Sequence, residues 1–200
     1  MKKTYNLYTD QKNAWLEVPS MDVVYLDIYK KISPFSYFAK YFDRSDNNVM
    51  GKIYLEEALD LTLFEQAYKK AFKENPNIKE LPLSKPITEF DRFDEKQIIV
   101  ENNFKLGDFV FCNAFRKRDY VKWKIIKIGK PHHQFTDRYG KHPISIKIKQ
   151  STKKYHDGSE WDVINNPNIK NVFNNQLEPY FKIEAQKFWD EAIKRWEANV

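Results

Sequence analysis

From Ile144 to Lys149 the chain alternates apolar and polar residues without a break: Ile144, Ile146 and Ile148 against Ser145, Lys147 and Lys149. Successive side chains of an extended chain point to opposite faces. The pattern therefore dictates a strand with one buried face and one basic, solvated face. The residues around it continue the theme. Gly107-Asp108 is a turn signal, followed by the strand-forming run Phe109-Val110-Phe111. Tyr120 to Ile128 reads as a second strand, with Val121, Trp123 and Ile125 on one face and Lys122 and Lys124 on the other. Gly129 to Pro143 reads as a loop containing Gly140. Asp157-Gly158 suits a type I′ hairpin turn, because both residues tolerate positive φ, and Trp161, Val163 and Ile164 supply a return strand. Four short strands punctuated by turns predict a small antiparallel barrel or curled sheet.

In outline this central region resembles an SH3-like barrel, in which a Gly-Asp turn often opens the first strand. Its charge is uneven. Residues 104–154 hold 14 Lys and Arg against three Asp, a net +11, whereas the whole chain is +6, so the remainder is −5. A basic module on a mildly acidic remainder is an electrostatic footprint for phosphate or for an acidic protein surface. Arg116, Arg118, Lys122, Lys124, Lys147 and Lys149 are the expected phosphate contacts. Tyr120, Phe135 and Tyr139 are interleaved with them and offer rings on which bases stack. The competing reading is that lysine solubilises strand faces and edges, in a chain whose Lys, Asn, Phe and Tyr usage also fits AT-rich coding.

Two hundred residues, 42% apolar and 16% aromatic, suit one or two small folded domains rather than a disordered chain. The single cysteine, Cys112, excludes an internal disulfide framework, and its place in a strand makes it a small buried hydrophobe rather than a nucleophile. The N-terminal MKKTYNLYTDQKN has no apolar run behind its lysines, so no secretory leader is expected. No apolar run approaches membrane-spanning length. A soluble protein of the bacterial host cytoplasm is the expectation, with no membrane partner. His132, His133, His142 and His156 do not form a zinc-ligand set with Cys112, and no metal or cofactor is expected. Phosphate-loop, dinucleotide-binding, HExxH and Ser-His-Asp signatures are absent, so a non-enzymatic role is expected.

Residues 1–75 read as a compact α+β unit. Ala14-Trp15-Leu16 and Val18 form a first strand, and Ser20 is placed to cap a helix carrying Val23, Val24 and Leu26 to Ile28. Ile32-Ser33-Pro34 breaks that helix. Phe35 to Phe42 and Lys52 to Leu55 pair as a hairpin. Thr62 with Glu65 fits a capping box, or Asp60 caps, before a helix through Phe64, Ala67, Tyr68 and Ala71 that Asn75-Pro76 stops. Glu56, Glu57 and Asp60 are an acidic cluster, but neighbouring strand residues face opposite ways, which disfavours a metal site. Trp15 is either a core residue or an exposed partner anchor.

Tyr8-Thr9-Asp10, Trp15 to Pro19, Ile32 to Tyr37 and Tyr54 to Glu57 with Asp60 and Phe64 resemble an uncharacterised family of small phage, plasmid and bacterial proteins. Its members read YSDPGHGWLEVP, then ISPYSY, then YLEED. The resemblance covers about the first third of the chain. Asn13-Ala14 stands where the family has Gly-His, so any chemistry of that histidine is lost here. The resemblance implies a mobile-element or phage setting and no particular activity.

Residues 76–103 read as a Pro-containing connector packed through Leu81, Leu83, Ile87 and Phe90, with Ile98 to Val100 adding an edge strand to the following core. Residues 104–200 complete the basic module. Asn165 to Gln176 reads as loop, and a final amphipathic helix begins near Pro179. Its apolar stripe, with Trp189 and Trp196, is expected to pack on the β core; the alternative is that these tryptophans are partner or dimer contacts. The leading expectation is a binding protein that engages nucleic acid or a nucleoprotein complex, inhibiting a host defence effector of the CRISPR or restriction type. The alternatives are a protein-interaction or structural module, including a homodimer, acting through the C-terminal helix, and a nuclease with an unrecognised site.

Overall fold

The computed structural model describes residues 3–10, 12–43, 48–84, 86–112, 122–154, 160–162, 168–180, 191 and 194. The chain is α+β and divides into two compact units, residues 1–101 with 131–143, and residues 102–130 with 144–200. The predicted C-terminal helix apart from Glu191 and Lys194, the Asp157-Gly158 turn and the return-strand residues Val163 and Ile164 lie outside the described residues. Among those described, no helix is long and apolar enough to cross a membrane.

The first unit is built on a six-stranded sheet. Its strands are β1 (Thr4–Thr9), β2 (Ala14–Pro19), β3 (Tyr37–Asp43), β4 (Asn48–Glu56), β5 (Asn77–Pro82) and β6 (Asp91–Arg92), in the order β5-β1-β2-β4-β3-β6. All pairings are antiparallel except β1 with β5. The sequence pattern foresaw one strand before residue 19, where there are two, β1 and β2. The stretch expected as a connector contributes two strands to this sheet. Side-chain alternation then makes two cores. Leu7, Leu16, Val18, Phe38, Ile53 and Leu55 face a helical layer, where they meet Val23 and Val24 of α1 (Ser20–Tyr25) and Phe64 and Tyr68 of α2 (Thr62–Phe72). Tyr8, Trp15, Tyr37 and Tyr54 face the other way and are sealed by Ile87, with Leu81, Leu83 and Phe90 packed against them, so the expected packing residues of 76–103 are in place.

Two expected caps are absent. Ser20 is fully buried in α1 and makes no cap; its hydroxyl lies 3.0 Å from Nε2 of His142, 122 residues away. Thr62 and Glu65 form no capping box, because α2 is entered through a π-helical turn, Glu57–Leu61, whose amides at Ala58 and Leu59 donate to the Glu56 carboxylate. Asp60 does not cap either. It is 2% exposed and accepts from the Ser33 amide and from the hydroxyls of Ser33 and Ser36. Ile98 is buried in the first unit's core, and Ile99 bridges His142, so this stretch is not an edge of the second sheet.

His142 also sits in the first unit. Its Nδ1 faces the carbonyls of His132 and Phe135, both at 3.1 Å, so Nδ1 donates and Nε2 accepts from the Ser20 hydroxyl. The preceding turn needs Gly140, whose φ is +79° and where a Cβ would stand 2.8 Å from the Val49 carbonyl oxygen.

The second unit carries β7 (Phe109–Cys112), β8 (Trp123–Pro131), β9 (Ile144–Gln150), β12 (Ile169–Phe173) and β13 (Leu177–Pro179) in the order β12-β9-β8-β7-β13. A separate ribbon pairs β10 (Thr152–Lys154) with β11 (Glu160–Asp162). The sheet is open, not the closed SH3-like barrel expected, because its edge strands β12 and β13 do not pair with each other. Residues expected as loop form β12, and Pro179 ends a strand instead of starting a helix.

Burial holds the His142 imidazole below its ordinary pKa. Below about pH 6.5 the unfolded chain therefore binds more protons than the folded one at this site, and stability falls as pH falls. The denaturation midpoint is expected to drop as pH falls below about 6.5, and His142→Gln is expected to flatten that slope while lowering stability at neutral pH. Equal slopes in the two proteins would contradict the assignment.

Candidate nucleic-acid interface

The second sheet has two chemically opposed faces. Val110, Cys112, Trp123, Ile125, Ile146, Ile148, Val172 and Leu177 form one buried cluster. Each is followed or preceded by a residue that points away, and those residues make the other face. On β9 they are Lys147, exposed, and Lys149, half-buried, with Asn171 and Ile169 beside them on β12. Lys124 on β8 is exposed and lies opposite Phe109 of β7. Lys122, immediately before β8, points to the same side. The expected alternation of Trp123 and Ile125 against Lys122 and Lys124 is thus realised, and Cys112 is the buried hydrophobe predicted.

Phe109 is the centre of this face. Its ring is 42% exposed, unlike Phe111 two residues on, which is covered and packs 4.7 Å from the Tyr180 ring. The Lys122 ammonium lies 4.2 Å from the Phe109 ring centre and 5.4 Å from that of Tyr180, and the Lys124 ammonium lies 5.8 Å from Phe109. Cations at such distances are drawn to the ring face. The ring and both charges therefore lie close together on one surface. The turn that presents Phe109 is built by Gly107 at φ +93° and by the Asp108 carboxylate, which accepts from the Lys105 amide at 2.7 Å. Among the described residues, Lys124, Lys147 and Lys149 make no ion pair. Glu178 on β13, opposite Phe111, is the acid of this face among the described strands. The arrangement offers spaced positive charge and a flat apolar ring on one surface.

The other residues singled out in the sequence are dispersed. Phe135 and Tyr139 are each 54% exposed but belong to the first unit, with the Arg138 guanidinium 4.7 Å over the Tyr139 ring. Trp15 is 5% exposed and packs edge-on to Tyr37, so it is a wall of the core and not an exposed anchor. Arg116, Arg118, Tyr120, Trp189 and Trp196 lie outside the described residues. Phe109 and Tyr180 were not foreseen, although a strand reading Phe-Val-Phe with Val110 inward must turn both phenylalanines the other way. Among the described residues no three His, Cys, Asp or Glu side chains are grouped to hold a metal ion. Comparison with protein-family models, with curated proteins and with solved structures finds no match to the chain.

The two faces make a stability prediction. Ile146→Ala, at a fully buried position, is expected to cost roughly 2–5 kcal/mol. Lys147→Ala, one residue on and exposed, is expected to stay within about 0.5 kcal/mol. Chemical denaturation of the two variants checks this, and comparable losses would mean that the lysine face is structural.

Proposed function

We propose that the second unit binds nucleic acid through its solvated sheet face, with Lys122, Lys124, Lys147 and Lys149 on the phosphates and a base stacked on Phe109. The observation that carries this reading is the exposed Phe109 ring with the Lys122 and Lys124 ammonium groups 4.2 and 5.8 Å from its centre. Ammonium groups neutralise phosphates without regard to sequence, and an exposed ring accepts any base that is not already paired and stacked. A flat sheet face does not enter a duplex groove as a helix or a two-stranded ribbon does. The expected ligand is therefore single-stranded, free or within a nucleoprotein complex, and the role is binding, not turnover. The excess of positive charge in residues 104–130 and 144–154 of this unit, +10 by composition (twelve Lys and Arg against two Asp), supports the same reading.

Fluorescence anisotropy with labelled single-stranded DNA, single-stranded RNA and duplex DNA at two salt concentrations tests it. Single strands are expected to bind more tightly, with affinity falling steeply as salt rises. Lys122→Glu with Lys124→Glu is expected to reduce the slope of log affinity against log salt by about 2. Phe109→Ala is expected to weaken single-strand binding by roughly 1–3 kcal/mol and leave the slope unchanged. Absence of binding at low salt, or charge-reversed protein that binds as wild type does, would overturn the reading.

A further inference from the structure

The first unit carries a second, independent feature. A groove of about 420 Å³ is lined by Trp15 of β2, Tyr37 of β3, Phe35 just before it, Glu56 at the end of β4, Leu59 of the π turn and Arg92 of β6. That volume is within the range of small-molecule sites. Its floor is aromatic: the Trp15 and Tyr37 ring centres are 6.5 Å apart, and both residues belong to the buried aromatic cluster. Phe35 and Leu59, each 59% exposed, extend the apolar surface outward.

Arg92 gives the groove its charge. Its guanidinium lies 4.1 Å over the Tyr37 ring, and its Nη1 donates 2.7 Å to the Phe35 carbonyl. Stacking and hydrogen bond together fix a side chain that otherwise carries large rotamer entropy, so little is lost when a ligand arrives. A guanidinium has five N–H donors, and among the described residues Arg92 makes no ion pair. Glu56, the acid in the lining, forms no ion pair with it and is turned to the backbone: its two carboxylate oxygens accept from the amides of Ala58 and Leu59 at 3.0 and 3.2 Å. The backbone beneath is held by Asp60, whose carboxylate ties the Ser33 and Ser36 segment to the π turn. Asn13 and Thr88 complete the lining with neutral hydrogen-bonding groups.

A pre-positioned cation with no ion-pair partner among the described residues, beside the exposed apolar side chains of Phe35 and Leu59, is complementary to an anion on a flat ring. We propose that this groove binds a small aromatic anion, its ring against the exposed Phe35 and Leu59 side chains above the buried Trp15 and Tyr37 and its phosphate or carboxylate on Arg92. Nucleotides and aromatic carboxylates share that chemistry. This site does not depend on the nucleic-acid reading of the second unit.

The test is a titration of the full chain with the four ribonucleoside monophosphates in one arm, and with indole-3-acetate and N-acetyltyrosine in the other. Ribose 5-phosphate and acetate serve as ring-free controls. Binding is read from the indole N–H resonance of Trp15, assigned with Trp15→Phe, and by calorimetry. Saturable shifts by ring-bearing members of one arm are expected, and the arm that gives them identifies the source of the anion. Arg92→Gln, at an exposed position where the fold tolerates change, is expected to weaken that binding about tenfold or more, the loss of a hydrogen bond to a charged group. No shift in either arm, Arg92→Gln binding as tightly as wild type, or ring-free anions binding as well as ring-bearing ones would each overturn the proposal.

Discussion

The first unit depends on one buried carboxylate. Asp60 is 2% exposed, and a charged oxygen placed there is tolerated only if its lone pairs are filled. The backbone amide of Ser33 donates to both of its oxygens at 3.0 Å, the Ser33 hydroxyl adds a bond of 2.8 Å, and the Ser36 hydroxyl adds another. Ser36 Oγ in turn accepts from the Glu56 amide at 2.9 Å, which carries the network back to the end of β4. Three segments that are remote in sequence are thereby fixed: the turn before β3, the last residue of β4, and the π turn that leads into α2. The π turn follows from this anchoring. Asp60 has to point inward to its serines while Glu56 caps the amides of Ala58 and Leu59, and the chain winds wider than an α-helix until Thr62.

A second, aromatic core lies on the opposite side of this sheet. Rings on the Tyr37 and Trp15 side of the sheet are packed by the 77–90 segment, and Arg92 is laid on Tyr37 from β6. On the helical side, Tyr5 packs edge-on to Phe64 at 5.0 Å while its hydroxyl reaches Asp22 at 3.1 Å. Burial and that neighbouring carboxylate push the Tyr5 phenol pKa up, so the hydroxyl keeps its proton as a donor. The second unit is organised differently. Its described core cluster is mainly aliphatic around Trp123, with Phe104 packed against it, and its lysines lie on the solvated face.

What the sequence disclosed and what it concealed follow from the range of the interactions involved. Period-two alternation is local, and it located β9, the inward Trp123 and Ile125, and the outward lysines. The β3–β4 hairpin and α2 were legible for the same reason. Ser20 was misread because Pro19-Ser20 before an apolar run looks like a cap, whereas its partner His142 is 122 residues distant. Asp60 likewise resembles a helix cap locally and is a buried acceptor only because Ser33 and Ser36 return to it. β5 comes from Asn-Ile-Lys-Glu-Leu-Pro, which carries weak intrinsic strand preference, and pairing with β1 makes it a strand; β12, Ile-Lys-Asn-Val-Phe, has three strand-favouring residues but lies in an Asn-rich stretch that reads as loop. Barrel closure is a property of edge pairing, and strand patterns alone do not contain it. At the candidate interface, the lysines were readable and Phe109 was not, because exposure of one phenylalanine and cover of its neighbour Phe111 depend on where Tyr180 returns.

The central claim is that nucleic acid lands on the face of the second sheet that bears Phe109. Chemical-shift mapping on the full chain during addition of a short single-stranded oligonucleotide measures this directly. The account predicts the largest changes at Phe109, Lys122, Lys124, Lys147 and Lys149, with the inward methyl groups of Ile146 and Ile148 little affected. Shifts that spare those five residues while binding occurs, or no shifts at low salt, would contradict it.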